Sequence, residues 1–145
     1  KKDLEDTLVF DSPFTQDASG WWVADQAMFR FPKGVVVGAK SSSCTYGEVT
    51  FSVNVEDDIY ANCPEGDGSV TFGQANTASG EYSSVLGGYG NTAAGNFAAI
   101  LGGTENSALG DYSSISGGSN NLISNNHASV YGGEAILKKD LEATL

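Results

Sequence analysis

From Val70 to Ala135 the chain reads VTFGQANTASGEYSS, VLGGYGNTAAGNFAA, ILGGTENSALGDYSS, ISGGSNNLISNNHAS and VYGGEA. Written this way the blocks repeat every 15 residues. The first column is Val70, Val85, Ile100, Ile115, Val130, and the fourth is Gly73, Gly88, Gly103, Gly118, Gly133. Asn76, Asn91, Asn106 and Asn121 fill the seventh column, and Ala78, Ala93, Ala108 and Ile123 the ninth. Gly80, Gly95, Gly110 and Asn125 form the eleventh, and Tyr82, Phe97, Tyr112 and His127 the thirteenth. Registered columns of this kind are the signature of a repeat architecture and come before any other reading.

A unit this short cannot be a helix pair or a propeller blade. It has room for one turn of a solenoid with two short strands and two corners. Gly-Gly makes one corner, because glycine accepts positive φ without strain. The Asn and Gly of the seventh and eleventh columns read as turn residues as well. Ser83–Leu86 and Thr92–Ala94 alternate small with apolar, as strands do. Coils stacked about 4.8 Å apart place identical residues above one another as ladders. Val85, Ile100 and Ile115 are expected inside, one per coil. An interior of Ala, Val and Ile is narrow and buries little apolar surface per chain, so lateral association is expected to supply the rest.

These residues resemble the YadA-like head repeats of trimeric autotransporter adhesins. The family pattern runs close to G-x-x-S-x-A-x-G-x-x-x-x-A-x-G, with a period one residue shorter. Gly80, Ser83, Val85, Gly87, Ala93 and Gly95 match it with one extra residue at the Gly-Gly pair; Gly95, Ala98, Ile100, Gly102, Ala108 and Gly110 match more loosely. The resemblance implies an all-β, left-handed parallel β-roll solenoid over 69–134, three chains side by side, and an extracellular adhesive role. Related repeats also occur in phage and viral fibres, so the fold alone does not fix the biology.

The flanks agree with a trimer. Lys1–Leu8 reads KKDLEDTL and Lys138–Leu145 reads KKDLEATL. Leu4/Leu8 and Leu141/Leu145 are four apart, as in a heptad. Segments so short need partner strands to be helical. Residues 1–9 and 135–145 are therefore expected to be coiled-coil flanks, either a native coil that recurs or a pair of appended coils. Residues 10–68 form a different object, expected to be a small antiparallel β unit. Glu48–Val55 alternates, with Val49, Phe51, Val53 and Val55 on one face and Thr50, Ser52 and Asn54 on the other. Trp21–Val23, Met28–Phe31, Val35–Ala39 and Ile59–Asn62 are further strand candidates.

Charge narrows the partners. Seven Lys+Arg against 18 Asp+Glu give a net charge of -11. No Lys or Arg lies between Lys40 and Lys138. A groove that neutralises phosphates needs clustered cations, so no nucleic-acid partner is expected. Docking on an anionic membrane surface fails for the same reason. Nor does any apolar run approach the roughly 20 residues of a spanning helix.

The chemistry-bearing residues are few. Cys44 and Cys63 are the only cysteines; in the extracellular setting that the resemblance implies, two such residues usually pair. Two free thiols, in a fibre folded in a reducing cytosol, are the alternative. His127 is the only histidine and sits in the aromatic column, where a ladder role is expected rather than that of a catalytic base. Glu56-Asp57-Asp58 and Glu65–Asp67 are acidic loops without EF-hand spacing, read as solvated. No cofactor or metal is expected. A glycan-processing enzyme needs two carboxylates facing one groove, and the repeat offers only Glu81, Glu105, Asp111 and Glu134, none of which recurs in its column in the neighbouring coil.

The expected function is therefore non-catalytic: a structural and adhesive module of a trimeric surface fibre, at a cell or virion surface, that meets a host-cell, glycan or matrix ligand. The alternative is the receptor-binding segment of a phage or viral fibre. Tyr82, Phe97, Tyr112 and His127 should leave the roll at one corner and stack into a stripe. That stripe serves either self-stacking and trimer contact or ligand binding.

Overall fold

The computed structural model describes residues 14–24, 31–55 and 58–134. The expected coiled-coil flanks, 1–9 and 135–145, lie outside them, as do most of the Met28–Phe31 candidate and Glu56-Asp57. The chain divides between Arg30 and Phe31 into two compact units. Described in the first is an antiparallel hairpin of β1 (Phe14–Gln16) and β2 (Trp22–Ala24), with Gln16 opposite Trp22. Its loop closes on Asp17, whose Oδ1 accepts the N–H groups of Ser19 and Trp21. Asp is suited to this, since its short carboxylate satisfies the loop backbone locally.

The second unit is a parallel β-solenoid. Its first two strands, β3 (Gly34–Val37) and β4 (Thr50–Val53), come from long coils; β5 (Cys63–Pro64) and β6 (Val70–Thr71) follow. The regular coils supply β7 (Thr77–Ala78), β8 (Ser84–Val85), β9 (Thr92–Ala93), β10 (Ala99–Ile100) and β11 (Ser107–Ala108). The last are β12 (Ser114–Ile115), β13 (Leu122–Ile123) and β14 (Ser129–Val130). They stack into a seven-stranded sheet, β3-β4-β6-β8-β10-β12-β14, and a five-stranded sheet, β5-β7-β9-β11-β13. Between the sheets a third row of single bridges runs Gln74, Tyr89, Thr104, Ser119, Glu134. The described residues contain no α-helix, only a short 3-10 turn at Asp58–Tyr60.

Inside, Val85, Ile100 and Ile115 of one sheet meet Ala78, Ala93, Ala108 and Ile123 of the other, all buried. The small residues on the five-stranded side set the thinness of the roll. The interior is also polar. Asn62, Asn76, Asn91, Asn106 and Asn121 are buried. Asn91 shows the pattern. Its Oδ1 accepts the Asn106 backbone N–H at 3.0 Å, while its Nδ2 donates to the carbonyls of Gly87 and Gly103 at 3.2 and 3.0 Å. A buried amide satisfied on both ends costs little and holds two coils in register. The seventh column, read from the sequence as turn residues, is thus an internal ladder.

Two further expectations change, and one point left open is decided. The antiparallel pairing expected for 10–68 holds only for the hairpin. Here β3, β4 and β5 pair in parallel and are coils of the solenoid, so the boundary at residue 69 falls inside it. The strand expected within Glu48–Val55 is β4, and the inward face that the alternation left open is Thr50, Ser52 and Asn54, with Val49, Phe51, Val53 and Val55 exposed. Ser52 Oγ meets Thr71 Oγ1 at 2.9 Å inside. Finally, Val70 does not share the column of Val85. It pairs with Ser84 and faces outward, and Thr71 takes the inward place. Asn62 and Asn76 are 14 apart and later ladder partners 15, so the first short coil lacks one residue of the Gly-Gly corner.

That corner makes different demands on its two glycines. Gly88 has φ +83, and a Cβ there would run into the Gly103 carbonyl. Gly87 has its nearest such contact at 3.9 Å. Gly87→Ala is expected to leave stability equal or raised by about 0.5 kcal/mol through a less flexible unfolded chain. Gly88→Ala should lower it by several kcal/mol, since backbone on both sides must shift. Asn91→Ala, which strands the Asn106 N–H and the Gly87 carbonyl, should cost at least about 2 kcal/mol. Urea unfolding of the three variants gives these values.

Candidate functional site

Each regular coil turns a corner at Gly80-Glu81-Tyr82, Gly95-Asn96-Phe97, Gly110-Asp111-Tyr112 and Asn125-Asn126-His127. Coils approach so closely here that a Cβ on Gly95 would meet the Gly110 carbonyl. The residue after next adopts the left-handed conformation, with φ between 56 and 59 at Tyr82, Phe97, Tyr112 and His127. Val49 and Gly68 take the same conformation at this corner in the preceding coils. Hydrogen bonds enforce the turn from both directions. The Phe97 N–H donates back to the Glu81 carbonyl at 2.8 Å and Tyr112 N–H to that of Asn96 at 2.9 Å. Asn96 Oδ1 accepts the Glu81 N–H at 3.0 Å, and Asp111 Oδ1 accepts that of Asn96 at 2.9 Å.

The corner throws the four rings outward in one line. Tyr82 and Phe97 stack with centroids 5.2 Å apart, Phe97 and Tyr112 at 4.9 Å, and Tyr112 and His127 at 5.0 Å. The spacing is that of the coils themselves. Left-handed backbone costs a non-glycine residue about 1–2 kcal/mol, while an aromatic pair contributes roughly 0.5–1.5 kcal/mol beyond burial. With three ring pairs against four left-handed residues, the stack therefore offsets part of the backbone strain that its own position creates. Phe97 and Tyr112 each carry a ring on both faces, so what the ladder presents to solvent is ring edges. A sugar that stacks flat on an aromatic face finds no free face at these two residues. Geometry favours self-stacking over flat ring binding.

Cys44 and Cys63 form a disulfide. With Glu65 they are the group of potential metal ligands among the described residues, but sulfurs bonded to each other are not thiolate donors. Asp67 Oδ1 is engaged by the Glu48 N–H at 2.7 Å, which ties one acidic loop to the coil below. The Gly87-Gly88 pair serves as a solenoid corner. Comparison with protein-family models, with curated proteins and with solved structures finds no match to this chain.

Sequence reasoning missed a second surface feature. Phe72, Leu86 and Leu101 occupy one outward column of the seven-stranded sheet, their N–H groups donating to the carbonyls of Val85, Ile100 and Ile115. Val37 and Val53 extend the column, and Val35, Phe51, Val70 and Ala99 stand beside it. Phe51 meets Phe72 edge-on at 5.4 Å. Leu86 is 46% exposed and Leu101 54%. No charged side chain stands in either column. The alternation of Glu48–Val55 carried the signal, though not which side was inward.

Backbone strain under the rings is testable by substitution. Tyr112→Gly and Tyr112→Ala both delete two ring contacts, but only the alanine keeps a Cβ at positive φ. The glycine variant should therefore be the more stable by about 1 kcal/mol in denaturant titration. The reverse order would mean that the corner is not left-handed.

Proposed function

We propose that the chain is a structural and adhesive module of a trimeric extracellular surface fibre, acting without catalysis. In this reading the solenoid is a left-handed β-roll, and three rolls stand parallel with their seven-stranded sheets turned toward a common axis. Coiled-coil flanks at 1–9 and 135–145 hold the chains in register. The carrying observation is the uncharged apolar row Val37, Val53, Phe72, Leu86, Leu101 on the outside of a roll whose interior is partly hydroxyl and amide. A contiguous apolar surface of this kind marks an interaction site in a soluble chain. Every parallel copy offers the same residues at the same height, so the row is complementary to itself.

Two observations support the extracellular setting and the type of ligand. The Cys44–Cys63 disulfide fits an oxidising compartment and so favours a cell-surface fibre over one assembled in a reducing cytosol. The basic-poor surface suits a neutral or cationic ligand on a host cell, glycan or matrix rather than a polyanion.

Sedimentation equilibrium should give three times the chain mass of 15.0 kDa. The double variant Leu86→Glu/Leu101→Glu should dissociate the trimer and lower its melting temperature, because both side chains point out of the roll into the contact that supplies the missing burial. A double variant that stays trimeric would refute the sheet-face contact. The parent trimer, screened on immobilised matrix proteins and glycans, should bind at least one class and show no turnover of it.

A further inference from the structure

The open end of a parallel solenoid leaves a row of unpaired backbone groups, which invites pairing with another chain. At the N-terminal edge of the five-stranded sheet that row can be accounted for atom by atom. In the next coil, the Asn76 and Ala78 carbonyls accept the N–H groups of Cys63 and Glu65 at 2.7 and 2.9 Å. The matching carbonyls of the first rung belong to Asn62 and Pro64, and among the described residues no strand lies below them in the sheet. Loop 39–47 fills the place. Gly47 N–H donates to the Pro64 carbonyl at 3.0 Å, and Tyr46 Oη donates to that of Asn62 at 3.2 Å. The Asn62 N–H goes to Asn54 Oδ1 at 3.2 Å. At the fourth position Pro64 has no N–H to leave unpaired.

Several non-covalent contacts hold the loop here, among them Asn54 Nδ2 donating to the Ala39 carbonyl. Tyr46 Oη also accepts from the Ser41 N–H at 3.1 Å and Asn54 Nδ2 at 3.3 Å. Lys40 Nζ lies 5.0 Å from the centre of the Tyr46 ring. Gly47 presses against the coil above, where a Cβ would come 2.5 Å from the Glu65 oxygen. The covalent tie is the disulfide, which joins Cys44 in the loop to Cys63, the first residue of the rung being covered. Both cysteines are only half-buried, within reach of a small reductant.

We propose that loop 39–47 is a redox-releasable seal on the N-terminal edge of the five-stranded sheet. A dithiol reductant opens it by exchange. One reductant thiolate attacks a cysteine sulfur, the protein S–S bond breaks and a mixed disulfide forms. The second reductant thiol then displaces that cysteine. Cys44 and Cys63 leave as protonated thiols, and the reductant as its cyclic disulfide. Freed of the tie, the loop keeps only its non-covalent contacts and opens more often, and each opening exposes the Asn62 and Pro64 carbonyls to water.

Hydrogen exchange on the full chain, with and without dithiothreitol, tests this. The amides of Gly47, Asn62 and Ser41 should exchange about tenfold faster or more after reduction, while those of Thr92 and Ser107 in the regular coils stay unchanged, as expected for local opening. The variant Cys44→Ser/Cys63→Ser should behave as the reduced parent does. Tyr46→Phe, with the disulfide intact, should speed exchange at Ser41 and leave Thr92 unchanged. Unaltered exchange at Gly47 and Asn62 after reduction overturns the seal. A uniform rise through every coil overturns it too, because the disulfide would then hold the whole solenoid rather than its edge.

Discussion

The internal asparagine ladder is the constraint from which most of this structure follows. Each buried amide must find two acceptors and offer one oxygen, or its burial costs more than the narrow core can offset. Asn76, Asn91 and Asn106 share this solution: the oxygen takes the next asparagine's N–H, and the nitrogen donates to a carbonyl four residues back and another 12 residues on. The solution works only if the chain returns to the same point after each circuit. Coil length, corner geometry and height per coil are thereby set together.

A roll closed this tightly has no room for large side chains, so the usual division of apolar inside and polar outside is reversed along part of one sheet. Hydroxyls of Ser52 and Thr71 pair inside, while Phe51, Phe72, Leu86 and Leu101 remain outside. At the ring corner, the same stacking distance that brings Gly80 and Gly95 against neighbouring carbonyls puts the aromatic rings in contact. Surface chemistry is in this sense a projection of the coil repeat. Whatever residue a column carries is displayed as a line, and its energy comes from neighbours of its own kind.

The regular coils were legible because 15-residue identity survives in six columns, and the strands at Ser84–Val85 and Thr92–Ala93 fall where the alternation puts them. The ring column was legible for the same reason. Residues 34–64 were not, because their coils differ in length. Val37 pairs with Val53, and Phe51 with Val70, so no fixed period runs through them. Alternation in Glu48–Val55 established a strand but carried no sign for which face is inward. Only the amides and hydroxyls available across the roll decide that. Asparagine in the seventh column is a turn former by propensity, and its role as a buried ladder depends on partners 12 and 15 residues away.

The single-residue step in coil length shows how the two ladders stay in phase. Thr71 and Val85 are equivalent inward residues, as are Gly73 and Gly88 at the corner. One residue must therefore be extra between Val85 and Gly88. It is Gly87, at a position where an added side chain meets almost nothing. Insertion there lengthens the outer path of the corner without moving Gly88, whose positive φ and close approach are indispensable, or Asn91, whose amide must still meet Asn76. Phe72-Gly73 and Leu86-Gly87-Gly88 are thus two solutions to one turn. The same chain can stack a 14-residue coil on 15-residue coils because the extra residue enters where side-chain space is open, and its carbonyl takes the ladder contact that Phe72 makes in the shorter coil.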